Sequence, residues 1–108
     1  MTEYFGIYGC ANENNDPMYI GSSRLDLQQI EWNHRNWKKN GWNETKFRKA
    51  LATEGKNWKF FWIEERRRIS RRQCEIEEGA LIRWIKPAWN IDKYPFEHSV
   101  KEGRMDAV

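Results

Sequence analysis

Apolar residues near the start of the chain fall into two short runs that predict a β-hairpin. Residues 4–10 contain closely spaced aromatic and β-branched side chains, and residues 18–21 form a second apolar run. The segment between them, residues 11–17, is rich in Asn and Asp, which favour turns. We therefore expect the first two elements to be paired antiparallel strands.

The next stretch has the spacing of an amphipathic helix. Leu27, Ile30 and Trp37 share one helical face. This predicts a first helix over roughly residues 25–39, which ends before Gly41. The candidates for its N-cap are Ser22 and Ser23.

A second, shorter helix is predicted between two residues that favour helix ends. Asn43 is its expected N-cap and Gly55 is its expected stop. Its apolar residues are Phe47, Ala50 and Leu51. Residues 58–63 then have the composition of a strand.

A third helix is predicted from a start signal and a stop signal. Ser70 and Gln73 have the spacing of a capping box, in which each side chain bonds the main-chain N–H of the other residue. Pro87 halts the helix because it cannot continue the hydrogen-bond ladder. The apolar stripe of this helix consists of Cys74, Leu81 and Ile85.

The element order is therefore β-β-α-α-β-α, which predicts an α/β (α+β) fold with a small three-stranded antiparallel sheet flanked by about three helices. Seven Trp, five Phe and four Tyr among 108 residues supply the apolar area of one core. We expect a single domain over residues 1–108. Its core covers about residues 4–92, and a short tail covers residues 93–108, polar from Lys101 onward.

Composition excludes some classes of function. A net charge of +3 permits polyanion binding without the strong basic excess of a nucleic-acid coat protein. No apolar run approaches the roughly 20 residues that span a bilayer, and the N-terminus lacks a signal-peptide pattern, so we expect a cytoplasmic protein with no membrane partner. The cysteines and histidines are too few and too scattered for a zinc site, and we expect both cysteines to be buried: Cys10, Cys74, His34 and His98.

Two triplets on the predicted hairpin carry a family resemblance. They are Gly6-Ile7-Tyr8 and Tyr19-Ile20-Gly21, separated by ten residues. Together, at this spacing and followed by a helix, they resemble the signature strands of the GIY-YIG nuclease superfamily. The alternative is an ordinary hairpin core. The resemblance covers residues 5–91 and leaves no room for a separate DNA-reading domain.

Glu78 stands out on physical grounds alone. It lies four residues after Cys74 and three before Leu81, on the predicted buried stripe of the third helix. A buried carboxylate needs a cation, a metal ion or several hydrogen-bond donors. The alternative to a functional role is a structural ion pair with an arginine.

The same glutamate fits the closing motif of the family. Glu78 and Asn90, twelve residues apart, resemble the glutamate and asparagine that complete the GIY-YIG site. The resemblance implies that Glu78 ligates a single Mg²⁺ or Mn²⁺ ion, that Tyr8 helps to activate the attacking water, and that Tyr19 contacts the phosphate or that water. For each tyrosine the alternative is strand packing. Asn90 orients the backbone or a phosphate, or is a turn residue.

One family position is filled differently. The family places an arginine on the first helix about ten residues after the second tyrosine, and counting from Tyr19 gives Gln29. Glutamine brings no charge, whereas arginine offers a cationic fork to the transition state. Arg24 and Arg35 are candidate substitutes, with an exposed surface role as the alternative. His34 is a candidate acid or base, or a packing residue.

DNA is the expected partner, either as a duplex or as a branched structure. The arginine run could bind its phosphates, or could form a solvated loop and first helical turn; it consists of Arg66, Arg67, Arg68, Arg71 and Arg72. A homodimer would let a one-site nuclease cut both strands. The tryptophans that are candidates for dimer or DNA contacts, with core burial as the alternative, are Trp32, Trp37, Trp42 and Trp58.

Two functions follow from these residues. The first is a metal-dependent endonuclease that hydrolyses DNA phosphodiester bonds and needs no small-molecule cofactor. The second is a weakened or silent member of the same fold that binds nucleic acid or a partner protein, because Gln29 replaces the family arginine. Retention of both tyrosines, Glu78 and Asn90 favours the first.

Overall fold

A computed structural model of the protein describes residues 2–90, and the predicted fold class is confirmed. The six elements follow in the predicted order: β1 Thr2–Ala11, β2 Pro17–Ser23, α1 Leu27–Arg35, α2 Lys46–Glu54, β3 Lys59–Ser70 and α3 Arg71–Ile85. The last residues of the predicted core, from 91, and the predicted tail over residues 93–108 lie outside the described residues. Within the described part, no helix is long and apolar enough to cross a membrane.

The three strands form one antiparallel sheet in the order β2-β1-β3. The register of the β1–β2 hairpin places Tyr8 opposite Gly21 and Cys10 opposite Tyr19. Residues directly opposite each other share a face of the sheet. Tyr8 and Tyr19 therefore lie on the same face, as diagonal neighbours.

Each face of the sheet is covered by helices, and each has its own cluster of buried apolar residues. Helices α1 and α2 cover one face, where the buried cluster consists of Tyr8, Cys10, Ile30, Phe47, Ala50, Leu51, Trp58 and Phe60. Helix α3 covers the other face, where the cluster consists of Phe5, Ile7, Ile20, Ile69, Cys74 and Ile82. Both cysteines are buried, as expected.

The N-caps of α1 and α2 differ from the predicted residues. Asp26, not a serine, caps α1 by accepting a hydrogen bond from the Gln29 amide, and Thr45 rather than Asn43 caps α2. Helix α1 ends at Arg35, before the predicted end at residue 39. Residues 36–41 instead turn back on themselves toward Gly41, which has a φ of +71° that a residue with a Cβ rarely adopts.

Strand β3 continues to Ser70, beyond the predicted end at residue 63, so residues 66–68 form neither a loop nor a helical turn, the alternative to phosphate binding given for the arginine run. These residues pair with β1: Arg67 lies opposite Phe5 and Arg68 opposite Tyr4. Pairing with a central strand outweighs the weak strand propensity of consecutive arginines. The register shifts twice along this pair, between Phe5 and Tyr8.

Helix α3 begins at the predicted place with half of the predicted capping box. The Ser70 hydroxyl accepts a hydrogen bond from the Gln73 main-chain amide at 3.1 Å. The Gln73 side chain donates to Glu77 instead of returning to the cap. The helix ends at Ile85, two residues before Pro87.

The chain after α3 returns to the outer edge of β2. The main-chain amides of Ala88 and Trp89 donate to the carbonyls of Pro17 and Met18 at 3.2 and 2.9 Å. This brings Asn90 against the strand that carries the second triplet.

Candidate functional site

A buried hydrogen bond joins the first triplet to helix α1. The Tyr8 hydroxyl oxygen lies 2.7 Å from Nε2 of His34, and the two side chains are only 4% exposed. On the far side of the imidazole, Arg48 of α2 donates from Nε to His34 Nδ1 at 3.2 Å. Three elements therefore meet in one chain of polar contacts beneath the hairpin.

The Tyr8 phenol is in an environment that disfavours its ionised form. Burial raises the pKa of Tyr8 well above 10.0, and Tyr19 and Glu78 raise this pKa further. The positive charge of Arg48 acts on the Tyr8 pKa in the opposite direction. Tyr8 is therefore a neutral phenol at pH 7, and base chemistry at its oxygen requires added positive charge at the site.

The glycine of the second triplet makes room for this phenol. A Cβ placed on Gly21 would lie 2.5 Å from the Tyr8 hydroxyl oxygen and 2.6 Å from its Cζ, closer than atoms can pack. The Tyr8 side chain thus crosses directly over Gly21 on the neighbouring strand. Substitution at Gly21 must displace the phenol.

Tyr19 lies beside the same pair of rings. It stacks on Phe47 with ring centroids 4.1 Å apart and 9° between the planes. The centroid of the Tyr19 ring lies 5.7 Å from that of the His34 ring, in an edge-to-face arrangement, and 6.2 Å from that of the Tyr8 ring. Packing therefore fixes the position of Tyr19, and both triplet tyrosines adjoin one histidine.

Glu78 lies on the opposite face of the sheet and is buried, as predicted. Its side chain is 6% exposed, and its Oε1 accepts a hydrogen bond from the Ser22 hydroxyl at 2.8 Å. Ser22 directly follows Gly21, so consecutive residues of β2 contact the two halves of the site. Glu78 also acts electrostatically on Tyr8, although the two approach from opposite faces.

A cleft of about 450 Å³ opens beside this carboxylate. Trp42, which is 36% exposed, is among its lining residues. The polar and charged side chains that line it are Ser22, Ser23, Arg24, Arg71, Glu75 and Glu78. The cleft thus combines carboxylates with basic side chains, a combination suited to a phosphate with a bound cation.

The described residues contain no cluster of three or more His, Cys, Asp or Glu side chains able to hold a metal ion. A Mg²⁺ site of the kind that the resemblance implies needs less, because Mg²⁺ is commonly held by one or two carboxylates, with waters and phosphate oxygens completing the shell. Glu78, with the Ser22 hydroxyl bonded to it, fits that donor set. These oxygen ligands suit Mg²⁺ or Mn²⁺.

Asn90 holds the backbone of the second triplet. Its Oδ1 accepts a hydrogen bond from the Ile20 amide, and its Nδ2 donates to the Ile20 carbonyl, both at 2.8 Å. Asn90 is 1% exposed. Asn90 therefore orients the main chain, one of the roles predicted for it from the sequence. Its side-chain amide bonds the edge of β2 as the main chain of a neighbouring strand would.

Gln29, which the resemblance aligns with the family arginine, bonds along its own helix. The Gln29 amide donates to Asn33 Oδ1 at 2.9 Å, further along the same helix. The next residue, Ile30, is 3% exposed and packs in the core. Gln29 instead lines a separate surface hollow with Asp26 and Trp32.

The two candidate substitutes have different surroundings. Arg24 lines the cleft and forms an ion pair with Glu3 at 2.7 Å, with 65% of its side chain exposed. Such an exposed pair is worth roughly 0–1 kcal/mol, so Arg24 can exchange Glu3 for a phosphate. Arg35 instead donates to the carbonyls of Gly55 and Trp58, each at 3.0 Å, and so clamps α1 to the segment that joins α2 to β3.

The arginine run on β3 is divided between the two faces of the sheet. Arg67 forms ion pairs with Glu77 of α3 and with Glu64. Arg66 donates to the main-chain carbonyl of Arg24, which lies at the cleft. Arg66 therefore joins β3 to the cleft, while Arg67 is held against α3 by carboxylates.

Two further side chains of the site were not found in the sequence. Arg48 follows the core residue Phe47, and nothing in the local pattern links it to His34, fourteen residues earlier. Ser22 was predicted only as a candidate N-cap.

The tryptophans proposed for dimer or DNA contacts differ in exposure. Trp58 is buried at 5% exposure, whereas Trp32 is 49% exposed. Trp84, which was not among the candidates, is 81% exposed.

Comparison of the chain with models of protein families, with curated proteins and with solved structures found no match.

Proposed function

We propose that the protein is a metal-dependent DNA endonuclease of the GIY-YIG type. One observation carries the proposal: the tyrosines of both triplets converge on His34, while the residue after the second triplet, Ser22, bonds the buried carboxylate of Glu78. Residues from β1, β2, α1 and α3 thus come together around the second triplet, which supports the proposal. An ordinary hairpin core would not need a glutamate on the buried stripe of α3.

The chemistry assigned to this chain is attack of water on a DNA phosphodiester. Tyr8 first loses its phenol proton to solvent; its phenolate then hydrogen-bonds the attacking water and accepts that water's proton as the new bond to phosphorus forms. Tyr19 orients the phosphate or that water. Glu78 holds the divalent ion, which when bound supplies positive charge to the leaving oxygen. Arg24 binds a non-bridging phosphate oxygen in place of the arginine that is absent at Gln29.

DNA binding outside the reacting phosphate is assigned to basic groups near the cleft. Arg66 and Arg68 lie on the sheet face away from α3, and Arg66 donates to the main-chain carbonyl of Arg24. With a net charge of only +3, affinity should be modest and strongly salt-dependent. We propose a cytoplasmic enzyme that acts on duplex or branched DNA with low sequence specificity, and that cuts both strands as a homodimer or by two successive nicks.

The direct test is nicking of supercoiled plasmid by the full chain with Mg²⁺, with Mn²⁺ and with chelator. Glu78→Gln keeps a side-chain oxygen for Ser22 and removes the charge, so it should fold and lose at least about 100-fold in rate. Glu75→Gln is the matched control on the same helix and should cut within about threefold of the wild type, because the resemblance assigns metal binding to Glu78 alone. Equal rates for the two variants would refute the assignment.

The second candidate function is a silent module that binds nucleic acid or a partner. The observation that favours it is the Gln29 amide, which brings no charge and is engaged with Asn33. This reading expects an inert wild type that still binds DNA in fluorescence anisotropy. Gain of cutting in Gln29→Arg would show that the rest of the site is intact and that the missing arginine silences it.

A further inference from the structure

The Arg48 guanidinium is held from three sides. Its Nε donates to His34 Nδ1 at 3.2 Å, and its Nη1 donates to the Asn43 carbonyl at 2.6 Å. The guanidinium carbon Cζ lies 4.6 Å from the centroid of the Trp42 ring, and His34 meets the same ring edge-on. Arg48 is thus fixed with one particular N–H directed at the histidine.

This arrangement determines where the proton of His34 lies. A guanidinium in a protein stays protonated and only donates, so His34 Nδ1 must present a lone pair to Arg48. A neutral imidazole then carries its proton on Nε2. That nitrogen lies 2.7 Å from the Tyr8 hydroxyl oxygen, so His34 is the donor and Tyr8 the acceptor.

We propose that Arg48 is a positioning residue of the site: it fixes His34 as a neutral donor to the Tyr8 oxygen and adds positive charge that favours the ionised phenol. Since both nitrogens of His34 are engaged, His34 is not the base. Tyr8 keeps its own proton directed away from His34 and can lose it. The consequence for catalysis rests on the proposed function, whereas the placement of the proton on His34 does not.

Arg48 differs from the other ionisable groups around Tyr8 in the sign of its effect on the phenol. The groups that act on its ionisation are Tyr19 of β2, Glu78 of α3, Arg48 of α2 and Cys10 of β1. Arg48 is the cation among them, and the others favour the neutral phenol. Arg48 of α2, on the far side of His34 from Tyr8, thus supplies positive charge that Gln29 of α1 cannot supply.

The first test measures the proton on His34 directly. Ring ¹⁵N chemical shifts of the full chain distinguish a protonated nitrogen from an unprotonated one, and His98→Gln assigns the signals. We expect the wild type at pH 7 to carry the proton on Nε2 alone. Arg48→Met removes the donor and should shift His34 toward the Nδ1–H and doubly protonated forms, while Arg48→Lys, which keeps a cationic donor, should lie between. A wild type with the proton on Nδ1 overturns the proposal even if no variant folds.

The second test uses the plasmid assay across a range of pH. Arg48→Met should lower kcat about 10- to 100-fold, move the rising limb of the pH profile to higher pH and leave KM within about threefold. The control is Lys49→Met, which removes an exposed cation from the next position of the same helix. Superimposable pH profiles for the two variants overturn the role of Arg48. A wild type that cuts no DNA overturns the proposed function, while the ring measurement decides the proton placement separately.

Discussion

Asn90 offers the sharpest test of how the second triplet is held. Asn90→Ala removes both hydrogen bonds to Ile20, a residue only 2% exposed, and leaves a buried N–H and a buried C=O without their partners. Each unsatisfied group costs about 1–3 kcal/mol, so the free energy of unfolding should fall by about 2–6 kcal/mol. Typical domains are stable by only about 5–15 kcal/mol, so the loss is a large fraction of the total.

The assay is urea unfolding followed by tryptophan fluorescence and by circular dichroism. The midpoint should fall at nearly constant slope, because the surface exposed on unfolding changes little. Asn36→Ala is the matched control: it removes one exposed hydrogen bond to the Trp32 carbonyl and should cost less than about 1 kcal/mol. Asn90→Asp keeps the acceptor and loses the donor, so its deficit should shrink at acidic pH, where a protonated carboxyl can donate again.

A result for Asn90→Ala within about 1 kcal/mol of Asn36→Ala would refute this reasoning. It would mean that the segment after α3 is not bound to the edge of β2, or that water replaces both hydrogen bonds without loss. A changed slope would instead indicate that the variant alters the native or denatured ensemble.

Three further predictions concern other contacts. Gly21→Ala should destabilise the fold by about 1–3 kcal/mol in thermal unfolding, because its Cβ would overlap the Tyr8 hydroxyl. Gly79→Ala is the control and should be neutral or stabilising, because the atom nearest its Cβ is the flexible end of a side chain at 3.4 Å. Arg35→Lys loses the fork that donates to two main-chain carbonyls and should cost about 1–3 kcal/mol in urea unfolding; no loss would contradict the clamp. Burial raises the pKa of the Cys10 thiol from 9.0 to about 12, so the unfolded chain loses this proton first. The contribution of this thiol to the free energy of unfolding is therefore complete below pH 9 and falls as the pH rises toward 12, by up to about 1.4 kcal/mol per pH unit. Cys10→Ala should make the free energy of unfolding less dependent on pH over this range.

The elements and the buried glutamate could be predicted because they depend on local pattern. Glu78 was found from its spacing to Cys74 and Leu81 on one helical stripe, and the cap at Ser70 from a short signal that the structure retains. The β1–β2 pairing followed from two apolar runs around a polar turn. Each of these features is encoded within about 20 residues, where periodicity and capping chemistry are informative.

The remaining features depend on tertiary contacts that no local pattern encodes. The arginines of β3 are in a strand because β1 pairs with them, although their composition favours a solvated loop. The partner of His34 is an arginine on another helix. The function of Asn90 depends on the chain returning to the edge of β2, seventy residues from its partner. Such contacts are fixed by packing, which outweighs local propensity.

Successive side chains of β2 point to opposite faces of the sheet, so both halves of the site depend on the register between β2 and β1. Gly21 faces the α1–α2 side, where it gives space to the Tyr8 phenol, and Ser22 faces the α3 side, where it holds Glu78. A slip of one residue along β1 would exchange these faces, placing a hydroxymethyl group against the phenol and leaving the carboxylate without its hydroxyl. The bonds from residues 88–90 to β2 oppose such a slip from the outer edge. Residues 88–90 thus help to fix the register of β2. A substitution there, about seventy residues from Tyr19 along the chain, would therefore disturb both halves of the site together.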